Sequence, residues 1–166
     1  MKKLKNALLI SISIILAACS NSGNPFGGNS DGAIFSSDLG DVSNPTSPAY
    51  FQQAVGDRVF FAIDQSSLGP EAMDLLNSQA NWLMTNGDYE IIVEGHADEQ
   101  GTRDYNVALG ARRANSVKEY LNSRGVAASR INTVSYGKER PIEICSNESC
   151  YSVNRRAVTV LSNFGS

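Results

Sequence analysis

The chain has little of what metal and acid–base chemistry draw on. Among 166 residues there is one histidine, His96, and there are three cysteines, Cys19, Cys145 and Cys150. A protein-held zinc takes about three or four ligands at workable spacing. One histidine and these cysteines do not supply them, so neither a metal nor a dissociable cofactor is expected. There is no HExxH helix, no GxSxG elbow and no glycine-rich phosphate loop. Glu94, Asp98 and Glu99 come nearest to paired catalytic carboxylates. They crowd one strand end and turn, whereas a glycosidase sets its pair on either side of a sugar ring. Long apolar runs are scarce as well: the longest, residues 7–16, is interrupted by Ser11 and Ser13. A spanning helix needs about 20 apolar residues. Basic residues number 14 against 17 acidic, which argues against nucleic acid or another polyanion as the main partner.

What is present begins with an export signal over residues 1–18. Lys2, Lys3 and Lys5 form a basic start, and the short apolar run follows. Leu16-Ala17-Ala18-Cys19 resembles the lipobox of bacterial lipoproteins. That resemblance implies that Cys19 becomes the mature N-terminus and carries a diacylglycerol and an amide-linked acyl chain such as palmitate. Buried acyl chains contribute about 0.8 kcal/mol per methylene, enough in combination for stable anchoring. Ser20 stands where lipoproteins kept at the inner membrane usually carry Asp, which favours the periplasmic face of a Gram-negative outer membrane. Losing the signal removes three lysines and no acid, leaving 11 basic against 17 acidic residues, a net −6. In an exported chain the remaining pair, Cys145 and Cys150, favours a disulfide acting as a local loop staple. Residues 19–55, rich in Ser, Asn, Gly, Pro and Asp, read as a flexible tether. Its coil reach is on the order of 30 Å, and its full extension about 120 Å.

The folded domain is expected over residues 56–166. Residues 59–63 are apolar on both faces, which predicts a short strand interior to a sheet. Gly69-Pro70-Glu71 opens a helix, with Met73, Leu76, Ala80 and Leu83 as its apolar stripe until Asn86-Gly87. Residues 89–93 read as a second strand. After Gly101-Thr102 comes a second helix with a stripe of Val107, Gly110, Ala114, Val117 and Leu121. A glycine costs about 1 kcal/mol inside a helix, so Gly110 suggests a close approach to the sheet. Residues 131–136 read as a third strand, 137–152 as a long loop and 157–161 as a final strand. The order βαβαβ, loop, β implies two main helices packed on a sheet, an α+β domain.

Charged groups concentrate where the second strand runs into the second helix. An acid at the strand end, Asp98, faces Arg112 and Arg113 on the helix. Asp98 can accept hydrogen bonds from an ammonium, and a guanidinium can grip a carboxylate. Two readings fit: a receptor for a ligand bearing both groups, or an ion pair of Asp98 with Arg112 or Arg113 that locks loop to helix. His96 reads as a structural donor that holds the loop.

The runs VEGHADEQGTRDYNVALGARRANSVKEYL, VSYGKERP and NRRAV resemble the peptidoglycan-associated lipoproteins of the Tol-Pal system, within the OmpA-like domain family. The likeness covers about residues 59–161. It implies a mixed sheet and noncovalent binding of the meso-diaminopimelate of the peptidoglycan stem peptide. By position it puts Asp98 on the ammonium and Arg113 on the carboxylate. Leu109 and Asp64 fall in the pocket wall, while His96, Gly110 and Arg112 are left as structural support. It further implies a role in envelope integrity and cell division, and a TolB-like periplasmic β-propeller partner competing with the wall. The chain departs from the family pattern at Arg103, where proline is usual, and at the cysteine pair. An envelope hydrolase acting on peptidoglycan is the alternative.

Overall fold

A computed structural model describes residues 39–162. The export signal, Cys19 and the first part of the expected tether lie outside the described residues.

Ser47 caps a short helix, α1 (Pro48–Tyr50), by accepting a hydrogen bond from the Tyr50 amide at 3.1 Å. The chain continues into a π-helical stretch, Phe51–Gly56. Phe51 is fully buried with its ring 4.8 Å from that of Trp82. Trp82 Nε1 donates to the Pro45 carbonyl at 2.7 Å, and the Tyr89 hydroxyl donates to that of Thr46 at 3.1 Å. The expected tether therefore ends earlier than residue 55, because residues 45–55 dock on the domain. An isolated Phe shows no periodicity in sequence, yet burying it stabilises by about 1.5–3 kcal/mol.

Four strands form one mixed sheet: β1 (Arg58–Phe60), β2 (Glu90–His96), β3 (Ile131–Gly137) and β4 (Arg156–Ser162), in the order β1-β4-β2-β3. β4 lies antiparallel to both β1 and β2, while β2 and β3 are parallel. The expected interior strand over 59–63 is instead a three-residue edge strand. Val59 and Phe61 enter the core, but Phe60 and Ile63 are exposed. Past Phe61, whose amide still bonds the Arg155 carbonyl, the chain turns away at Asp64, which takes a left-handed φ of 55°. A very short edge of this kind resists pairing with other chains.

Two long helices cover one side of the sheet. α2 (Pro70–Thr85) has proline in its first turn and buries Leu76, Ala80, Trp82 and Leu83, whereas Met73, expected in the stripe, is exposed. α3 (Arg103–Ser123) is capped by Thr102 and makes the crossover from β2 to β3 that a parallel pair requires. Leu109, Ala114, Val117 and Leu121 face inward, while Val107 is exposed. Where α3 crosses β2 the two backbones nearly touch. A Cβ on Gly110 would lie 2.7 Å from the Gly95 carbonyl oxygen, and one on Gly95 would lie 1.9 Å from that of Gly110.

The stretch read as a long loop runs into a helix of about two turns, α4 (Glu148–Asn154), capped by Asn147. A disulfide joins Cys145 to Cys150 across its start. Its apolar content is too small to announce it; the cap and the cross-link hold it.

Candidate functional site

The turn after β1, the loop after β2 and the first turns of α3 meet at one corner of the sheet. β2 ends at His96, and Ala97 extends its pairing through the Gly137 carbonyl at 2.8 Å. This delivers Asp98 to a loop that is closed locally. The Asp98 Oδ1 accepts from the Gln100 amide at 3.1 Å, and Asn106 Nδ2 donates to the Gln100 carbonyl at 2.8 Å. Lys138 Nζ donates to the Gly101 carbonyl at 2.8 Å. The result is a cleft of about 250 Å³ lined by Ile63, Asp64, Asp98, Gln100, Gly101, Tyr105, Asn106 and Leu109.

Three of the residues singled out in sequence, Asp64, Asp98 and Leu109, line this cleft together. Arg113 is not in its wall. It is fully buried beneath the turn, with Nε donating to the Gln65 carbonyl at 2.8 Å, Nη1 to that of His96 at 2.8 Å and Nη2 to that of Ala62 at 3.3 Å. Its guanidinium also lies 5.2 Å from the Phe61 ring centroid. Because a guanidinium has five N–H groups, each terminal nitrogen keeps one donor uncommitted to these carbonyls. Burial lowers the Arg113 pKa to about 10, opposed by the nearby Asp98 carboxylate, so the group is cationic at neutral pH.

Asp98 is paired with neither Arg112 nor Arg113. Its Oδ2 accepts from Arg155 Nη1 at 3.2 Å, with both side chains largely buried. Arg155 is the functional residue that sequence reading passed over. It also donates to the Phe61 carbonyl at 3.1 Å and forms an ion pair with Glu148 of α4. The Glu148 hydrogen bond, despite the cost of burial, raises its pKa. The signal that could have revealed it is the doubled arginine opening an otherwise apolar strand, since two charged side chains at a sheet's centre need partners.

The other site residues divide as follows. The Asp64 carboxylate accepts a hydrogen bond from the Tyr105 hydroxyl across the cleft mouth, and this bond raises the Tyr105 pKa. Among the described residues neither His96 ring nitrogen lies within hydrogen-bond distance of a partner; Glu94 Oε2 stands 3.6 Å from Nε2. The contribution of His96 to the site is its backbone carbonyl, held by Arg113. Burial lowers the His96 pKa, against the pull of Glu94. Arg112, expected as support, is exposed, and its guanidinium sits 5.9 Å from the Tyr105 ring centroid. Arg103, in the proline position, pairs with Glu139 at 3.0 Å on the surface. Among the described residues no three His, Cys, Asp or Glu side chains converge as metal ligands.

Chemically the cleft offers carboxylate and carbonyl acceptors at its mouth, an apolar wall and cations behind. At about 250 Å³ it is slightly smaller than the usual ligand pocket, which runs from about 300 Å³ upward. Its carboxylate lining suits the ammonium-bearing end of an amino-acid side chain.

Residues 60–155 match the OmpA family. The chain is also 54% identical, over 125 residues, to the peptidoglycan-associated lipoprotein of Mesorhizobium japonicum, covering 75% of this chain and 74% of that protein. The chain belongs to the OmpA family, alongside the peptidoglycan-associated lipoproteins. The protein of that name in Agrobacterium fabrum is 47% identical over 158 residues, covering 95% of this chain and 88% of that one. Among solved structures, the peptidoglycan-associated lipoprotein of Burkholderia pseudomallei superposes with a TM-score of 0.65 at 33% identity, covering 73% of this chain and 98% of that one. The C-terminal domain of Helicobacter pylori MotB, at 22% identity and a TM-score of 0.60, covers 64% and 84% and shares the fold. The mixed α+β sheet is therefore a family property, and the corner where Asp64, Asp98 and Leu109 meet is built on it.

Proposed function

We propose that this protein binds peptidoglycan noncovalently, by seating the free amino-acid end of a stem-peptide diaminopimelate in the cleft after β2. The observation that carries the reading is the convergence of Asp64, Asp98 and Leu109 over the buried, cationic Arg113. The ligand ammonium is held by the two carboxylates, each of which keeps lone pairs beyond its present bonds. The ligand carboxylate takes up the donors that Arg113 does not spend on backbone carbonyls, and Leu109 packs on the methylenes between. A stem peptide built on lysine carries the ammonium without the carboxylate, so it leaves those donors unpaired and binds more weakly. The relatives' shared name supports the same partner.

With Cys19 acylated, the protein links outer membrane to wall as part of a Tol-Pal system, serving envelope integrity and division. A TolB-like β-propeller competes for the same face. Co-sedimentation of the full-length chain with purified wall tests the reading. The parent should pellet with diaminopimelate-type wall and release it uncleaved, and Asp98→Asn should lose at least tenfold in affinity at a temperature where circular dichroism shows it still folded. Equal binding by Asp98→Asn would remove the assignment, and cleaved muropeptides would favour an envelope hydrolase.

A further inference from the structure

Arg112 is the one site-associated cation whose guanidinium has no hydrogen bond or ion pair among the described residues. Asp98 and Glu148 hold Arg155, and three carbonyls hold Arg113. Arg112 instead stands exposed beside a second, shallow hollow open to solvent, lined by Ser66, Ala111, Arg112, Asn115, Ser116 and Thr133. This hollow adjoins the first through two shared elements. The turn after β1 supplies Asp64 to one and Ser66 to the other, and α3 supplies Leu109 to one and Arg112 to the other. Leu109 and Arg112 are i, i+3 neighbours on a single helix face.

The spacing matches a peptide. From Leu109 to Arg112 the helix rises about 4.5 Å, and to Ser116 about 10 Å, while an extended chain advances about 3.3–3.6 Å per residue. A peptide whose diamino acid fills the acidic cleft therefore carries its next residue over Arg112, among hydroxyl and amide groups suited to backbone. The polarity also alternates along this face, from the Asp64 and Asp98 carboxylates to an uncompensated guanidinium.

We infer that the Arg112 hollow is a second subsite, which takes a carboxylate of the same stem peptide one residue away from the diamino acid. This rests on the cleft reading above and adds a specificity to it: peptides with that carboxylate free bind better than peptides with it amidated. Two carboxylates of a stem peptide meet the description, the α-carboxylate of the preceding γ-linked glutamate and the C-terminal carboxylate of the following alanine.

The test is calorimetry of the full-length chain with synthetic L-Ala-γ-D-Glu-diaminopimelate-D-Ala at low salt. Two companion peptides carry an amide on the glutamate or on the C-terminus. The parent should bind one amidated peptide roughly three- to fivefold more weakly than the diacid, the scale of a solvent-accessible ion pair, and the difference should shrink as salt rises. Which amide weakens binding tells which carboxylate is held. Arg112→Gln should bind the diacid as weakly as the parent binds that amide, and amidation should cost the variant nothing further. The inference is overturned if Arg112→Gln binds all three peptides as the parent does, or if amidation weakens the variant as much as the parent. Asp98→Asn in the same titration separates the two ideas. If it loses the diacid while Arg112→Gln does not, only the second subsite falls. If it too binds like the parent, the cleft reading falls and the subsite with it.

Discussion

Arg113 commits its guanidinium to its own chain before any ligand arrives. Its three carbonyl partners lie on two separate segments, the turn after β1 and the end of β2, so one side chain sets the distance between the two acid-bearing loops. That is a different task from an ion pair with Asp98, and it explains how a cation can be wholly buried: backbone oxygens replace its water. Asp98 in turn keeps its charge compensated through Arg155, so the site carries two acids and two arginines without a direct acid–ligand-arginine bond to break. His96 shows the opposite arrangement, a buried ring with no hydrogen-bond partner for either nitrogen among the described residues and Glu94 3.6 Å away. Its neutral form is the one the fold accommodates, hence its lowered pKa. The unfolded chain binds a proton near the ordinary value of about 6.5. The stabilisation is therefore complete above about pH 6.5 and is lost as pH falls through the folded value. Since His96 is the chain's one histidine, the thermal transition should fall between pH 7.5 and 5, and His96→Asn should flatten that limb. Equal slopes in both proteins would contradict this account.

Among the elements, the contact of α3 with β2 is the seam that sets the cleft's depth. Gly95 and Gly110 remove both side chains at the crossing, and Leu109 and Arg113 flank it on the helix. Replacing Gly110 by Ala would raise intrinsic helix propensity by about 1 kcal/mol. The new methyl would meet a backbone oxygen at 2.7 Å, and such overpacking costs typically 1–3 kcal/mol. Gly110→Ala should thus be less stable in urea unfolding by up to about 2 kcal/mol and should weaken wall binding by displacing α3. A stabilised variant would show that the helix moves freely at this point. α4 supports the site from the other side. Glu148 holds Arg155, while Ser146 and Tyr151 hold Glu99 at 2.8 and 2.9 Å. The Cys145–Cys150 cross-link closes a loop small enough to contribute about 2 kcal/mol in the chain-entropy model. The arrangement makes the disulfide segment part of the support for Asp98, although it lies 47 residues away from it.

For the whole molecule, the boundary between domain and tether is the point that matters most, because it sets how far the domain reaches. Phe51, Trp82 and Tyr89 form a row of tilted aromatic rings 4.8 and 5.3 Å apart, and residues 45 and 46 cap the two polar ends. A chain starting at Leu39 should keep the thermal transition of the full-length protein. One starting at Gly56 loses a buried Phe, a loss of the size that costs about 3–5 kcal/mol on truncation to Ala, and should melt lower by at least 10 °C on the scale of about 4–8 °C per kcal/mol. If the two truncated chains melted together, residues 45–55 would belong to the tether after all.

Local pattern was sufficient for much of this protein. The proline-opened α2, the Gly101-Thr102 turn before α3 and most of its small-residue stripe, the approach signalled by Gly110 and the apolar β2 were all legible, since each depends on residues within a few turns of one another. The acid at the strand end was legible too, because a charged residue directly after an apolar strand marks where the strand leaves the core. What the sequence could not supply were facts that depend on residues far apart. The insertion of β4 between β1 and β2, the pairing of Asp98 with Arg155 across 57 positions, the burial of Phe51 and the use of Arg113 on three carbonyls all join distant segments. Hydrophobic period and capping chemistry act over one or two helical turns, but ion-pair partners and sheet order are chosen only when the whole chain has closed around its core.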